Sequence, residues 1–343
     1  MLEAALTAGF CSVGVNVLSV GVVPTPAIAY LVGKYGCEAG VMISASHNPC
    51  EYNGIKIFQS TGYKLPDSVE DEIEAIILDS PDQIELKTGG DVGRRTYCKT
   101  AVEDYIEHIV SVSEVSFDGL NIAIDTANGS ASVCAKEIFT RLGAKCHMLS
   151  DTPNGVNINL NCGSTHMEEL AEFVKANKLD LGIAFDGDAD RMLAVDENGE
   201  IVDGDKVIAI CATQMKQEKK LAKNTAVVTV MSNMGFFKFC EDNGIKCAKT
   251  AVGDRYVLER MLKDGYNIGG EQSGHVIFLD HATTGDGELS AVKLLETVVK
   301  SGASLAQLSK VMTVYPQVLI NVPVTDEGKK KYNNDEYIIS AVQ

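Results

Sequence analysis

Short apolar runs rich in Val and Ile alternate along this chain with segments whose apolar residues recur at helical spacing. Val15–Val23, Ala39–Ile43, Asn121–Ile124, Leu181–Phe185 and Val227–Val230 read as strands. Ser68–Leu78, Thr100–Val112, Ala131–Leu142, Met167–Asn177, Lys206–Glu218, Arg255–Lys263 and Glu288–Lys300 read as helices. Strand then helix, repeated, is the pattern of α/β units in which helices cover largely parallel sheets. At 343 residues the chain is too long for one ordinary core. The expected class is α/β, with three successive α/β units and mixed, largely parallel sheets.

Composition narrows the function. The formal net charge of −17 disfavours nucleic acid and anionic membranes as partners. No stretch reaches the ~20 apolar residues of a membrane helix, and no basic segment followed by an apolar one opens the chain. Both observations point to the cytoplasm. The ten cysteines form no Cys-x-x-Cys pair and read as reduced thiols in packed positions. The oligomeric state is left open.

Punctuation suggests the boundaries. Ser80–Arg95 is rich in Pro, Gly and charge, and Asp196–Gly199 reads as a hairpin turn. Units of 1–98, 99–202 and 203–312 follow. Val311–Val324 is strand-like but carries Pro316 and Pro323, so a linker or sheet edge is expected. Met1–Ala8 reads as a helix with no strand before it, and Asp335–Val342 as a helix barely begun. Both ends therefore look cut.

Three loops at the ends of apolar runs carry groups suited to phosphate chemistry. In Ser44-Ala45-Ser46-His47-Asn48-Pro49, small residues and Pro49 force a tight turn that exposes a hydroxyl and backbone N–H groups. Ser46 suits a nucleophile or phosphoryl carrier, His47 suits a hydroxyl-orienting or proton-accepting role, and Lys56 suits phosphate neutralisation. An ordinary Ser/Asn/Pro turn fits the same residues.

In Asp186-Gly187-Asp188-Ala189-Asp190-Arg191, carboxylates at alternate positions can converge on one hard divalent cation such as Mg²⁺. Arg191 suits a phosphate bridging to that cation. A calcium-hand loop is the competing reading, since Asp186, Asp188, Asp190 and Glu197 fall at its positions 1, 3, 5 and 12. Arg191 stands where that loop needs glycine, which argues against it.

In Gly269-Gly270-Glu271-Gln272-Ser273-Gly274-His275, polar side chains between glycines can reach sugar hydroxyls, although a plain Gly-rich turn also fits. Asp254 and Arg255 at a helix start are further candidates, with Arg255 able to meet a phosphate. A surface charge pair explains them equally well. His108, His147, His166 and His281 read as packing or surface residues.

Taken together and in this order, the three loops resemble the α-D-phosphohexomutase superfamily over essentially the whole chain. Ala189, Gln272 and Val252–Tyr256 are similar to its glucosamine branch rather than to the phosphomannomutase/phosphoglucomutase branch. The resemblance implies four domains around a central cleft, so residues 313–343 would be a linker and the truncated start of the fourth. It implies that Ser46 is phosphorylated and that Asp186, Asp188 and Asp190 hold Mg²⁺, with a phosphate oxygen on Ser46 as a further ligand. Lys56 and Arg191 would flank the transferring phosphoryl group. Glu271 and Ser273 would hold sugar hydroxyls with His275 nearby, and Asp254 and Arg255 would belong to the substrate site.

The implied reaction interconverts glucosamine 6-phosphate and glucosamine 1-phosphate, small-molecule sugar phosphates, through a hexosamine bisphosphate that is intermediate or activator. Lys56 and His275 are both candidates for its general base. A chain lacking the family's usual start and its fourth-domain phosphate clamp is expected to be a poor mutase. A Mg²⁺-dependent phosphatase-like hydrolase and an inactive metal-binding fragment remain alternatives of another class.

Overall fold

The computed structural model of the chain describes residues 1–79, 84–318, 323–331 and 334–342. Its elements fall into three successive groups. The first contains α1 (Leu2–Ser12), β1 (Val17–Ser19), α2 (Thr25–Lys34), β2 (Ala39–Ser44), β3 (Gly54–Gln59), α3 (Asp67–Asp79) and β4 (Arg95–Tyr97). Helix α4 (Ala101–Ser111) leads into β5 (Asn121–Asp125), α5 (Ala135–Arg141), β6 (Lys145–Leu149), α6 (Glu168–Asn177), β7 (Leu181–Phe185), β8 (Met192–Asp196) and β9 (Ile201–Val202). The third group runs through α7 (Gly204–Gln217), β10 (Thr225–Thr229), α8 (Met234–Asp242), β11 (Lys246–Thr250), α9 (Asp254–Asp264), β12 (Ile268–Gly270), β13 (Val276–Phe278), α10 (Gly287–Ser301) and α11 (Leu305–Leu308). Beyond it lie α12 (Asp326–Lys331) and α13 (Glu336–Val342).

The second and third sheets match the expected α/β pattern. Strand order in the second is β6-β5-β7-β8-β9, parallel through β6, β5 and β7 and antiparallel at β8 and β9. The third is β11-β10-β12-β13, parallel except for β13. The first group departs from the expectation. Its strands form two separate pairs, a parallel β1–β4 and an antiparallel β2–β3 that aligns Met42 with Lys56. The chain passes from β2 to β3 through residues 45–53 alone, and a connection that short returns antiparallel, because a parallel crossover needs a dozen or more residues.

Two other expectations change. Val15–Val23 shrinks to the three residues of β1, because Pro24 precedes a helix that starts at Thr25 and the preceding residues turn towards it. The Val311–Val324 stretch forms no strand over its described part. Ser309–Val311 is a 3-10 turn and residues 312–318 are irregular, held instead by side chains, as when Asn233 Nδ2 donates to the Tyr315 carbonyl at 2.8 Å. Residues 80–83 and 319–322 of the two proposed boundary segments lie outside the described residues.

One continuous apolar core joins the three groups, from Val23 and Phe58 through Tyr105, Phe139 and Phe185 to Phe236, Leu294 and Met312. Each fully buried aromatic or aliphatic side chain in it contributes about 1.5–3 kcal/mol relative to exposure. Because this core is shared, the loops at the strand ends are held against one another. Among the described residues, no helix is long and apolar enough to cross a membrane.

Candidate active site

The acidic loop leaves the end of β7, whose five residues are all buried, and returns at once into β8. It turns through Ala189 at φ 56°, in the left-handed region that L-residues seldom adopt. Asp186, Asp188 and Asp190 are 0, 1 and 5% exposed, yet they bring one oxygen each to within 4.8 Å of one another. Burial, then the charges of Asp190 and Asp188, push the Asp186 pKa well above the usual carboxylate range. Burial also opposes the charge of Asp190, but His275 and the Lys56 ammonium hold its pKa below the ordinary value.

Each of the three carboxylates has one satisfied and one orphaned oxygen. Asp186 Oδ1 accepts from the Arg191 N–H at 3.1 Å, while Asp188 Oδ2 accepts from Thr25 Oγ1 at 2.5 Å and from Lys56 Nζ at 2.7 Å. Asp190 Oδ2 accepts from Lys56 Nζ at 2.8 Å. Asp186 Oδ2, Asp188 Oδ1 and Asp190 Oδ1 are buried without a hydrogen-bond partner, and so is Arg191 Nε. Three clustered carboxyl oxygens without donors are costly alone and suit the donor set of a hard divalent cation. The neighbouring guanidinium N–H suits an anion bound beside it.

The calcium-hand alternative does not survive the tertiary structure. Glu197, its required twelfth-position ligand, is carried past the hairpin to the start of α11, where Oε2 accepts from the Ala306 N–H at 3.0 Å. It is absent from the acidic cluster.

Lys56 comes from β3, where its pairing with Met42 in β2 places it beside the serine loop. Burial works against its charge, but Asp190 and Asp188 outweigh burial and raise its pKa. Ser46 sits in the loop between those strands at φ 53°. Its N–H donates to Ser44 Oγ at 2.7 Å, and its own Oγ lies 3.4 Å from His47 Nδ1. Burial, then the Arg191 charge, lower the His47 pKa. The serine loop and the acidic loop touch at Gly187, where a Cβ would stand 2.5 Å from the Ser46 carbonyl oxygen.

The third group contributes His275, 3% exposed at the start of β13. Its Nδ1 lies 3.7 Å from Asp190 Oδ1, and its Nε2 accepts from the Gly285 N–H at 3.1 Å. Asp254 is 3.5 Å from His275 Nε2 and pairs with Lys64 of the first group. Burial opposes the Asp254 charge, but His275 and Lys64 lower its pKa. Glu271 Oε1 accepts from the Gly253 N–H at 3.1 Å, which joins the Gly-rich loop to the start of α9. Gln272 Nε2 donates to Asp203 Oδ2 at 3.1 Å, and Ser273 is exposed. Arg255 is turned to Asp67 and Glu259 rather than to the acidic cluster.

Ser46, Lys56, the three aspartates, Arg191, Asp254 and His275 are thus assembled from three sheets. Sequence reasoning missed Thr25, Lys64 and Asn159. The Thr-Pro start of α2 was a visible signal for Thr25, but nothing local marks the other two.

Residues 1–83, 103–199 and 203–315 match the family descriptions phosphoglucomutase/phosphomannomutase, alpha/beta/alpha domain I, domain II and domain III. The chain is 54% identical over 338 residues to the phosphoglucosamine mutase of Ruminiclostridium cellulolyticum, a match spanning 98% of this chain and 75% of that protein. It is 52% identical over 343 residues to a Clostridium perfringens phosphoglucosamine mutase, spanning 100% of this chain and 77% of that one. The chain belongs to the phosphoglucosamine mutase family. Phosphoglucosamine mutases are isomerases that act as intramolecular phosphotransferases. The three-unit α/β architecture and the superfamily resemblance seen in the sequence are both sustained.

Among the solved structures that share the fold, two illustrate the likeness. A phosphoglucomutase/phosphomannomutase family protein of Burkholderia thailandensis superposes with a TM-score of 0.78 at 24% identity, covering 93% of this chain and 69% of that one. The Aspergillus fumigatus N-acetylphosphoglucosamine mutase, solved with GlcNAc-6P and magnesium, gives 0.64 at 16% identity over 85% and 77%. At these identities the likeness speaks for the fold.

Proposed function

We propose that this protein interconverts glucosamine 6-phosphate and glucosamine 1-phosphate through a phosphorylated Ser46 and a hexosamine bisphosphate. The carrying observation is the trio of buried, unpartnered oxygens on Asp186, Asp188 and Asp190, beside Lys56 and the Ser46 loop. Its domains are taken as 1–98, 99–202 and 203–312, with 313–343 leading into a fourth.

Asp186, Asp188 and Asp190 would hold Mg²⁺. When bound, it supplies Lewis-acid neutralisation of phosphoryl oxygens, the term on which phosphoryl transfer chiefly depends. The residues of the chain do the rest. Lys56 and Arg191 offset the charge of the phosphoryl group between them, Arg191 through the Nε–H that now lacks a partner. The sugar hydroxyl oxygen forms the new bond to phosphorus as the bond from phosphorus to Ser46 Oγ breaks. The hydroxyl proton passes to a base, for which His275 and Lys56 are the candidates, and Ser46 Oγ takes up a proton on the opposite side. His47 Nδ1, 3.4 Å from Oγ, is placed to deliver it. Glu271, Ser273, Asp254 and His275 would face the sugar, and Arg255 would join them only by leaving its pairs with Asp67 and Glu259. The other phosphate of the bisphosphate then returns to Ser46 by the reverse chemistry, leaving the isomer.

The test is assay of the natural gene product with glucosamine 6-phosphate and an activating bisphosphate. Glucosamine 1-phosphate should form, Ser46→Ala should abolish it, and glucosamine phosphates should show higher kcat/KM than glucose or mannose phosphates. Phosphate release without an isomer would assign a hydrolase instead. Preference for mannose phosphates would move the protein to the sister branch.

A further inference from the structure

We infer that Asn159 is a positioning residue for phosphoryl transfer at Ser46, holding the serine loop from the neighbouring α/β unit. Its Nδ2 donates to the Ser46 carbonyl at 2.8 Å and to the Asn48 carbonyl at 2.8 Å. Both N–H groups of one amide are thereby spent on the two carbonyls that bracket His47. The residue is 8% exposed, so water does not compete freely for these bonds.

The serine loop needs such a hold. Ser46 lies at φ 53°, where its Cβ crowds the following carbonyl, and a non-glycine residue stays there only when its surroundings over-determine it. Inside the loop, the Ser46 N–H donates to Ser44 Oγ and the Asn48 N–H donates to the Ala45 carbonyl. These contacts shape the turn but do not anchor it to the acidic loop. Asn159 supplies that anchor. Gly187 of the acidic loop lies against both partners, and a Cβ there would stand 2.5 Å from the Ser46 oxygen and 2.8 Å from Asn159 Nδ2. The amide therefore sets the spacing between the phosphoryl carrier and the carboxylates it must face.

Asn159 is itself fixed. Its N–H donates to the Ala127 carbonyl at 2.9 Å, and it occupies φ 57°, a conformation asparagine tolerates better than most residues. The inference rests on the proposed role of Ser46, and the experiment separates the two.

Asn159→Asp keeps the size and the tolerance for positive φ but aims an anionic oxygen at two carbonyl oxygens. Asn159→Gly removes the donor while easing the backbone. A positioning role predicts label transfer from a hexose bisphosphate to Ser46 in the order Asn, then Gly, then Asp. It also predicts kcat lower by about 100-fold in the Asp variant, with KM for the sugar phosphate unchanged, as expected when a reacting group is misplaced by about 1 Å. A space-filling role predicts the reverse order for the two variants. Thermal melting reports folding in parallel; should Asn159→Asp fail to fold, Asn159→Gly must still show lowered kcat at parental KM. Parental kcat in Asn159→Gly, or an Asp variant better than the Gly variant, overturns the inference. Labelling that survives in Ser46→Ala overturns the role of Ser46 itself, whatever the Asn159 variants do.

Discussion

Thr25 holds Asp188 twice. Its hydroxyl donates to Asp188 Oδ2 at 2.5 Å, and its N–H donates to the Asp188 carbonyl at 2.9 Å. Thr25 opens helix α2, so the positive end of a helix dipole faces the acidic loop. The first α/β unit thereby orients a carboxylate of the second.

Thr25→Val should keep the shape and lose the hydroxyl donor. Titration calorimetry with Mg²⁺ or Mn²⁺ should then show affinity weakened by about 10-fold or more, as when an outer partner of a metal ligand is removed. Thr25→Ser should restore it. Parental affinity in the Val variant would mean that Lys56 alone orients Asp188.

The carboxylate trio should make stability depend on metal. Free Mg²⁺ at about 100 times its Kd should add about 2.7 kcal/mol to unfolding free energy, visible as a raised Tm that chelator reverses. Asp188→Asn should shift the midpoint of this effect to higher Mg²⁺. A Tm indifferent to Mg²⁺ and Mn²⁺ would remove the metal site.

Gly285 is needed for its lack of a side chain. A Cβ there would lie 2.4, 2.5 and 2.6 Å from three ring atoms of His275. Gly285→Ala should displace the imidazole and lower kcat at least tenfold, with Tm changed by only a few degrees, about 1–3 kcal/mol of overpacking. Full activity would show that the His275 ring position does not matter for turnover.

Asp286 and Glu288 form a buried acidic pair behind the site. Tyr105 Oη donates to Asp286 at 2.9 Å and lies 3.1 Å from Glu288 Oε2, while Cys134 Sγ donates to Glu288 Oε1 at 3.2 Å. Burial raises Asp286 to about 7, with the Asp190 charge adding to it, and burial plus the Asp286 charge raise Glu288 to about 8. Tyr105 and Cys134 are also pushed up, first by burial, and stay protonated. The native state thus holds protons that the unfolded chain has released. Their contribution is complete below the unfolded values near pH 4 and is lost as pH rises towards 8, at no more than about 1.4 kcal/mol per pH unit per proton. Glu288→Gln removes one such proton. Denaturation measured from pH 5 to pH 8 should show the variant gaining stability relative to the parent as pH rises. A constant difference across that window would refute the account of native-state protons held on this pair.

The sequence by itself determined the α/β alternation and marked the three loops proposed to bear the chemistry. Helical and strand periods are local, and so is the crowding of Asp186, Asp188 and Asp190 within one turn. It also marked Ser46, because a tight turn after an apolar strand is written in adjacent residues. Tertiary structure decided everything that joins loops more than a hundred residues apart. It set Thr25 and Lys56 on Asp188, and Asn159 on Ser46. It carried Glu197 away from the acidic loop to α11, which ended the calcium-hand reading, and it paired Arg255 with Asp67. Beyond the Thr-Pro helix start at Thr25, no local pattern encodes these contacts, since a lone Asn or Lys has the same neighbours whether it faces solvent or a distant strand end. They exist because one apolar core docks the three α/β groups together, and burial at that depth favours pairing of polar groups across the seam, leaving the carboxylate oxygens of the acidic loop among the few without a protein partner.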